Sequence, residues 1–199
     1  MRGKISQLFI LLRCIGNFII HGRANYFSQP KNICIVNTAK LGDMIFITPL
    51  ANAIKRNLPD AKVTIFGSEK NRELIEYNKD VDAYLSASGN PKIDSRNIKR
   101  SKFYCAIITF PDLYNFSFFY LAGVPGIVAS HFYDVDYETE TISYKMATLF
   151  CRRVFLSGHK YFTRQFLRLL EPIGIITDDT AKKLSYSEKA DTQALQFFD

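Results

Sequence analysis

Residues 32–50 run Asn-Ile-Cys-Ile-Val-Asn-Thr-Ala-Lys-Leu-Gly-Asp-Met-Ile-Phe-Ile-Thr-Pro-Leu, and this stretch constrains the fold more than any other. Four consecutive apolar residues, Ile33 to Val36, read as a strand buried on both faces. A short polar loop then leads through Gly42-Asp43 into helical spacing. A strand, a tight loop and a helix in that order aim backbone N–H groups and one carboxylate at a single place.

The same exchange of period continues along the chain. Strands are expected over 32–38, 62–67, 104–110 and 126–131, with a shorter one near 82–86. Helices are expected near 44–57, 69–78, 112–122, 160–171 and 186–198. The runs Lys62-Val63-Thr64-Ile65-Phe66 and Tyr104-Cys105-Ala106-Ile107-Ile108 are as continuously apolar as parallel sheets require. Leu58-Pro59-Asp60, Gly67-Ser68 and Ser88-Gly89-Asn90-Pro91 punctuate them. Strand–helix alternation at this spacing specifies a doubly wound, mostly parallel α/β domain.

With 199 residues, 47% hydrophobic, the chain is long enough for one substantial core, and 17 Phe and 11 Tyr supply bulk in the absence of Trp. Cys14, Cys34, Cys105 and Cys151 are widely spaced, and two lie inside strand-like runs. They therefore read as reduced thiols and not as a disulfide framework or a zinc site.

Charge is unevenly distributed. Arg2, Lys4, Arg13, Arg23, Lys31 and Lys40 all precede the first acid, Asp43, so six of the seven excess positive charges fall in the first 42 residues. The same leader carries Ile5, Leu8, Phe9, Leu12, Gly16 and Ile19 at helical spacing, widened by Ile10, Leu11, Phe18 and Ile20. Arg13 and Asn17 interrupt it before the roughly 20 apolar residues that a spanning helix needs. The expectation is a basic amphipathic helix over 1–30 lying in an anionic membrane interface. Docking on the protein's own body uses the same pattern. The remainder is close to neutral, which argues against a nucleic-acid partner.

Asp43 leads the candidates for chemistry. The phosphate-binding patterns G-x-G-x-x-G and G-x-x-x-x-G-K-[ST] are both absent. Spacing alone favours Asp43 as a helix N-cap, worth about 1 kcal/mol, a role compatible with that of a general base. Asp134-Val135-Asp136, with Glu138 and Glu140 nearby, has the form of an Asp-x-Asp metal motif, against a solvated acidic loop as the plainer account. Lys55 could meet an acceptor phosphate or sit on a solvated helix face. His159 could cap its helix or contact a ligand, while His21 and His131 have no assignable partner. Tyr114, Phe116, Phe118, Phe119 and Tyr120 read as helix core.

Taken together, Lys40-Leu41-Gly42-Asp43-Met44, Thr48-Pro49-Leu50 and Ala53 through Leu58-Pro59-Asp60-Ala61-Lys62-Val63-Thr64 resemble the opening of glycosyltransferase family 9, the lipopolysaccharide heptosyltransferases and their relatives. His159, Arg164, Leu167, Leu169-Leu170 and Gly174 resemble that family's later His-to-Leu-Gly helix. The resemblance covers roughly 32–180. It implies the N-terminal half of a GT-B enzyme, which pairs two Rossmann-like domains, binds its nucleotide-sugar mainly in the C-terminal one and inverts the anomeric carbon without a metal or other cofactor. By this resemblance Asp43 is the catalytic base, and Lys40, Leu41, Gly42 and Thr48 contribute to substrate binding. The transferred sugar would be a heptose from ADP-heptose. The acceptor would be an anionic lipid A/core glycolipid at the inner face of the cytoplasmic membrane.

Two departures accompany it. Asn37 stands where many family members have Arg, and the donor-binding domain has no counterpart in the sequence. The expected organisation is thus a leader over 1–30, an acceptor-side domain over 31–185, and over 186–199 the start of a connector toward a missing domain, leaving the chain inactive alone. The alternative is a non-catalytic membrane-docking α/β module.

Overall fold

The computed structural model describes residues 2–28 and 30–183, so the expected connector helix over 186–198 lies outside the described residues. Among the described residues six strands form one sheet: β1 (Asn32–Asn37), β2 (Lys62–Ser68), β3 (Ala83–Ala87), β4 (Cys105–Ile108), β5 (Gly126–Phe132) and β6 (Arg152–Leu156). Their order is β3-β2-β1-β4-β5-β6, and every pairing is parallel. This is a doubly wound, Rossmann-like sheet, and the chain reverses its direction of winding between β1 and β4.

Side chains of β1 alternate between two cores, as a two-residue repeat requires. Ile33 and Ile35 face one side, with Val63, Ile65, Cys105 and Ile107. Over them pack Leu50 and Ile54 of α3 (Thr48–Asn57) and Phe166 of α7 (Phe162–Leu167). Cys34 and Val36 face the other side, with Phe66, Ala106 and Ile108. That side is covered by Phe116 and Phe119 of α5 (Leu113–Leu121), Ile98 of α4 (Pro91–Ser101) and Tyr144 of α6 (Ile142–Ala147). The aromatic run of α5 is therefore core, as its composition suggested. All four cysteines are buried free thiols.

The leader folds as α1 (Arg2–His21), closed by Gly22 in the left-handed region at φ 77°. It docks on the protein's own body along one side only. Leu11 and Cys14 are buried against α5 and α6. Leu8, Phe9, Leu12, Ile19 and Ile20 remain exposed on the opposite side, Phe9 at 62% and Ile19 at 76%. The chain then bonds to the sheet's lower rim through Ala24 and Tyr26. No helix among the described residues is long and apolar enough to cross a membrane.

Several elements depart from expectation. The helix expected over 44–57 is two helices, α2 (Leu41–Phe46) and α3, because Pro49 has no N–H for the carbonyl of Ile45 four residues earlier. The Thr48 hydroxyl supplies that donor instead, at 3.0 Å. Residues 69–78 hold a 3₁₀ turn, Glu69–Leu74, and no α-helix. Its buried Asn71 donates to the Ala39 carbonyl at 2.9 Å, tying the turn to the loop after β1. Helix α4 is an addition to the expected elements: Asn90 caps it by accepting from the Lys92 N–H and Pro91 fills its first turn. Helix α6 and the edge strand β6 were also unforeseen.

Candidate active site

A cleft of about 610 Å³ opens above the C-terminal ends of β1 and β4, at the reversal point of the sheet. In doubly wound sheets this is where ligands bind. One wall is the loop Asn37 to Lys40 with Asp43. Facing it are Phe110, Pro111, Asp112 and Asn115 after β4, and Tyr137, Thr139 and Phe162 close the rim.

Asn37 builds the first wall. It is buried, its amide nitrogen donates to the main-chain carbonyl of Asp43 at 3.1 Å, and its oxygen accepts from the Ala39 N–H at 3.0 Å. Both polar ends of this side chain are tied into the loop and the residue is 1% exposed, so it presents little to a phosphate. Gly67 makes the same turn possible from below. A Cβ there would run into the Tyr84 hydroxyl, the Met44 methyl and, at 3.0 Å, the Asn37 carbonyl.

Helix α2 begins earlier than expected, and this corrects the role of Asp43. The N-cap position belongs to Lys40, and Asp43 is the third helical residue, where its Oδ2 accepts the Lys40 N–H at 3.1 Å. This is the return half of a capping box. Among the described residues its Oδ1 has no hydrogen-bond partner, and the side chain is half-buried at the cleft wall. A carboxylate held by one oxygen and free at the other can accept a proton from a hydroxyl placed in the cleft.

The other expected contacts divide. Lys40 lines the cleft. Leu41 and Gly42 are exposed on the first turn of α2 but do not line it, and the space in front of Gly42 is open. Thr48 does not reach the cleft at all: it is fully buried, and its hydroxyl bonds the Ile45 carbonyl and the Lys183 N–H. Lys55 pairs with Asp82 at 2.7 Å and is therefore a structural cation. His159 is exposed and does not cap α7, whose N-cap is Tyr161.

The acidic loop 133–141 is a structural strap. Asp134 bonds the Ser157 hydroxyl and, at 2.6 Å, the Gly158 N–H, so the first carboxylate of the Asp-x-Asp pattern is already engaged. Glu140 is buried, contrary to the reading of a solvated loop. It accepts from the Phe132 N–H and meets His131 Nδ1 at 2.7 Å, which gives His131 the partner that sequence could not name. Burial pushes the His131 imidazole below its usual value, against the pull of Glu140 beside it. Among the described residues no group of acidic, His or Cys side chains is arranged to hold a metal ion.

The strap delivers a residue that sequence reading missed. Tyr137 reaches the cleft, where burial, then the negative charge of Asp43 and of Asp134, raises its phenol and keeps it a hydrogen-bond donor. Asp112 was missed as well. It caps α5 by accepting the Asn115 N–H at 2.7 Å, and burial raises its carboxyl despite that bond. Its signal was available: a carboxylate just beyond the second strand of the reversal point, as Asp43 lies beyond the first.

No protein-family model matches this sequence, and no curated protein matches it. Solved structures do. A glycosyl transferase family 9 structure from Veillonella parvula DSM 2008 aligns over 88% of this chain and 50% of its own, with a TM-score of 0.67 at 17% identity. E. coli ADP-heptose lps heptosyltransferase II aligns over 84% of this chain and 50% of its own, with a TM-score of 0.62 at 14% identity. E. coli heptosyltransferase WaaC with ADP aligns over 76% of this chain and 50% of its own, with a TM-score of 0.59 at 12% identity. The chain spans about half the length of these structures, and what it shares with them is the fold of one Rossmann-like half of a glycosyltransferase.

Proposed function

We propose that this chain is the acceptor-side half of an inverting, metal-independent glycosyltransferase with Asp43 as its general base. The observation that carries this is the half-free Asp43 carboxylate, with one oxygen on the Lys40 N–H and its main-chain carbonyl held by Asn37, at the wall of a cleft at the sheet's reversal point. The fold shared with heptosyltransferase structures supports it, as does the motif order from Leu41-Gly42-Asp43 to Pro59-Asp60-Ala61. In this reading the acceptor hydroxyl gives its proton to Asp43 as its oxygen bonds the anomeric carbon. The bond from that carbon to the donor diphosphate breaks, and the nucleoside diphosphate leaves with the electron pair.

The donor, read as ADP-heptose by analogy with a solved WaaC complex containing an ADP-heptose analogue, binds a second domain facing the cleft. The acceptor is a glycolipid of the lipopolysaccharide core, met at the cytoplasmic membrane surface. The exposed apolar side of α1 and the six basic residues before Asp43 support surface docking, with anionic headgroups as the counter-charge. Transfer assayed with the donor-binding domain present tests the catalytic part: Asp43→Asn abolishes it if Asp43 is the base.

The same α1 surface favours a second reading, a non-catalytic membrane-docking module. It predicts vesicle binding with no sugar transfer under any donor supply.

A further inference from the structure

We propose that the sugar unit held beside Asp43 is uncharged, recognised by an aromatic wall and by Asp112, so that any anionic part of the acceptor lies outside the cleft. The inference rests on reading the cleft as the acceptor side of a transferase, and it names the class of sugar that site takes.

The wall comes first. Phe110, Tyr137 and Phe162 all line the cleft and are all half-buried, so each keeps ring surface available to a ligand. The Phe110 ring centre lies 6.0 Å from that of Tyr137 and 6.3 Å from that of Phe162, which makes one continuous surface. Buried Phe166 stands edge-on behind Phe110 at 5.2 Å, and Phe132 packs against Tyr137 at 4.5 Å, so the wall is stiff. A pyranose ring presents an apolar C–H face of the kind that such rings cover, with hydroxyls pointing to its edge. A phosphate presents no such face.

Charge points the same way. The ionisable side chains other than tyrosine that line the cleft are Asp43, Asp112 and Lys40. An entering phosphate or carboxylate would meet two carboxyl groups against one flexible ammonium, in a setting where partial burial strengthens each repulsion. Asn37 offers it little, because the side chain is buried with both polar ends tied into the loop. Helix α2 offers it little, because the Lys40 N–H is taken by Asp43 and Leu41 and Gly42, which open the helix, do not line the cleft.

Hydroxyl groups find partners where phosphates do not. Asp112 accepts from the Asn115 N–H, with the Tyr114 N–H also near its carboxyl, and its remaining lone pairs can accept from a sugar hydroxyl. The Thr38 hydroxyl accepts from the Asn115 amide at 2.8 Å, which leaves its proton free to donate. Thr139 and the raised, protonated Tyr137 phenol complete a mixed set of donors and acceptors around the rim. Such a set suits groups that both donate and accept, as sugar hydroxyls do. Two features then divide the labour: the basic residues concentrated before Asp43 attract an anionic surface, and the cleft selects a neutral ring.

The test is a glycan array carrying neutral, phosphorylated and uronate- or sialate-bearing glycans, probed with the full 199-residue chain. Neutral glycans should be retained, and their acidic counterparts should bind at least tenfold more weakly. Asp112→Asn keeps a good helix cap. It should weaken neutral binding by about tenfold through loss of one charged hydrogen bond while narrowing the gap to acidic glycans. Preference for acidic glycans, or retention of no glycan at all, overturns the inference. The two failures can be told apart. If Asp43→Asn abolishes transfer while acidic acceptors are preferred, the transferase reading stands and this inference falls. If neutral glycans bind through Asp112 while Asp43→Asn transfers normally, the reverse holds.

Discussion

The side-chain amide of Asn37 donates to the Asp43 carbonyl at 3.1 Å while its oxygen accepts from Ala39, so one buried residue sets the geometry of the whole loop after β1. Asn37→Ala should lower stability to urea by about 1–3 kcal/mol, the cost of stranding buried backbone partners. It should also depress any activity that depends on Asp43. Unchanged unfolding would mean that the loop holds itself.

Thr48 gives a complementary case. Its hydroxyl replaces the N–H that Pro49 cannot offer to Ile45. Thr48→Val, which conserves shape, should therefore cost about 1–2 kcal/mol of stability. The acceptor KM should stay unchanged. A raised KM at full stability would restore a substrate-binding role.

Asp134 links the strap to acid stability. Partial desolvation raises its pKa, but the Ser157 hydroxyl, the Gly158 N–H and the charge of His159 outweigh it and hold the carboxyl below its usual value. A depressed folded pKa contributes stability that is present above the unfolded value, about 3.9, and lost as pH falls through the folded one. The stability difference between the native chain and Asp134→Asn should thus be constant near neutrality and shrink below about pH 4. Urea unfolding at stepped pH measures it, and a difference that persists at pH 2 would contradict it.

The two-sided leader changes how membrane binding has to be tested. Removing residues 1–30 would take Leu11 and Cys14 out of the core along with the exposed side. The triple substitution Leu8→Gln, Leu12→Gln, Ile19→Gln touches only exposed positions. At roughly 1.5–3 kcal/mol for each side chain fully buried, it should weaken co-sedimentation with anionic vesicles by about three orders of magnitude or more at an unchanged melting temperature. Undiminished binding would remove lipid as the occupant of that side.

Much of this was legible in the sequence because it depends on local pattern. The runs at Ile33–Val36 and Val63–Phe66 could only be strands buried on both faces, and their alternation with helices specified the sheet. Thr48 misled because a motif gives order along the chain and not direction in space. Glu140 and His131 stayed unread because their pairing closes across a strap that only the tertiary fold brings back. Asp112 and Asp43 lie at the starts of the helices that follow the neighbouring strands β4 and β1, a relation that appears once the strand order is known. Helix α4 was missed although Asn90-Pro91 marked its start, since a turn signal and a helix-start signal share those residues.

The central claim is that Asp43 takes the acceptor proton. The measurement that tests it most directly is the turnover of Asp43→Asn with the donor-binding domain present, beside its thermal stability. Removing a general base costs roughly 10²–10⁴-fold in rate. The account predicts a loss of that size with the melting temperature nearly unchanged, because the amide oxygen can still accept the Lys40 N–H. Turnover within a few-fold of the native enzyme would show that Asp43 only closes the first turn of its helix.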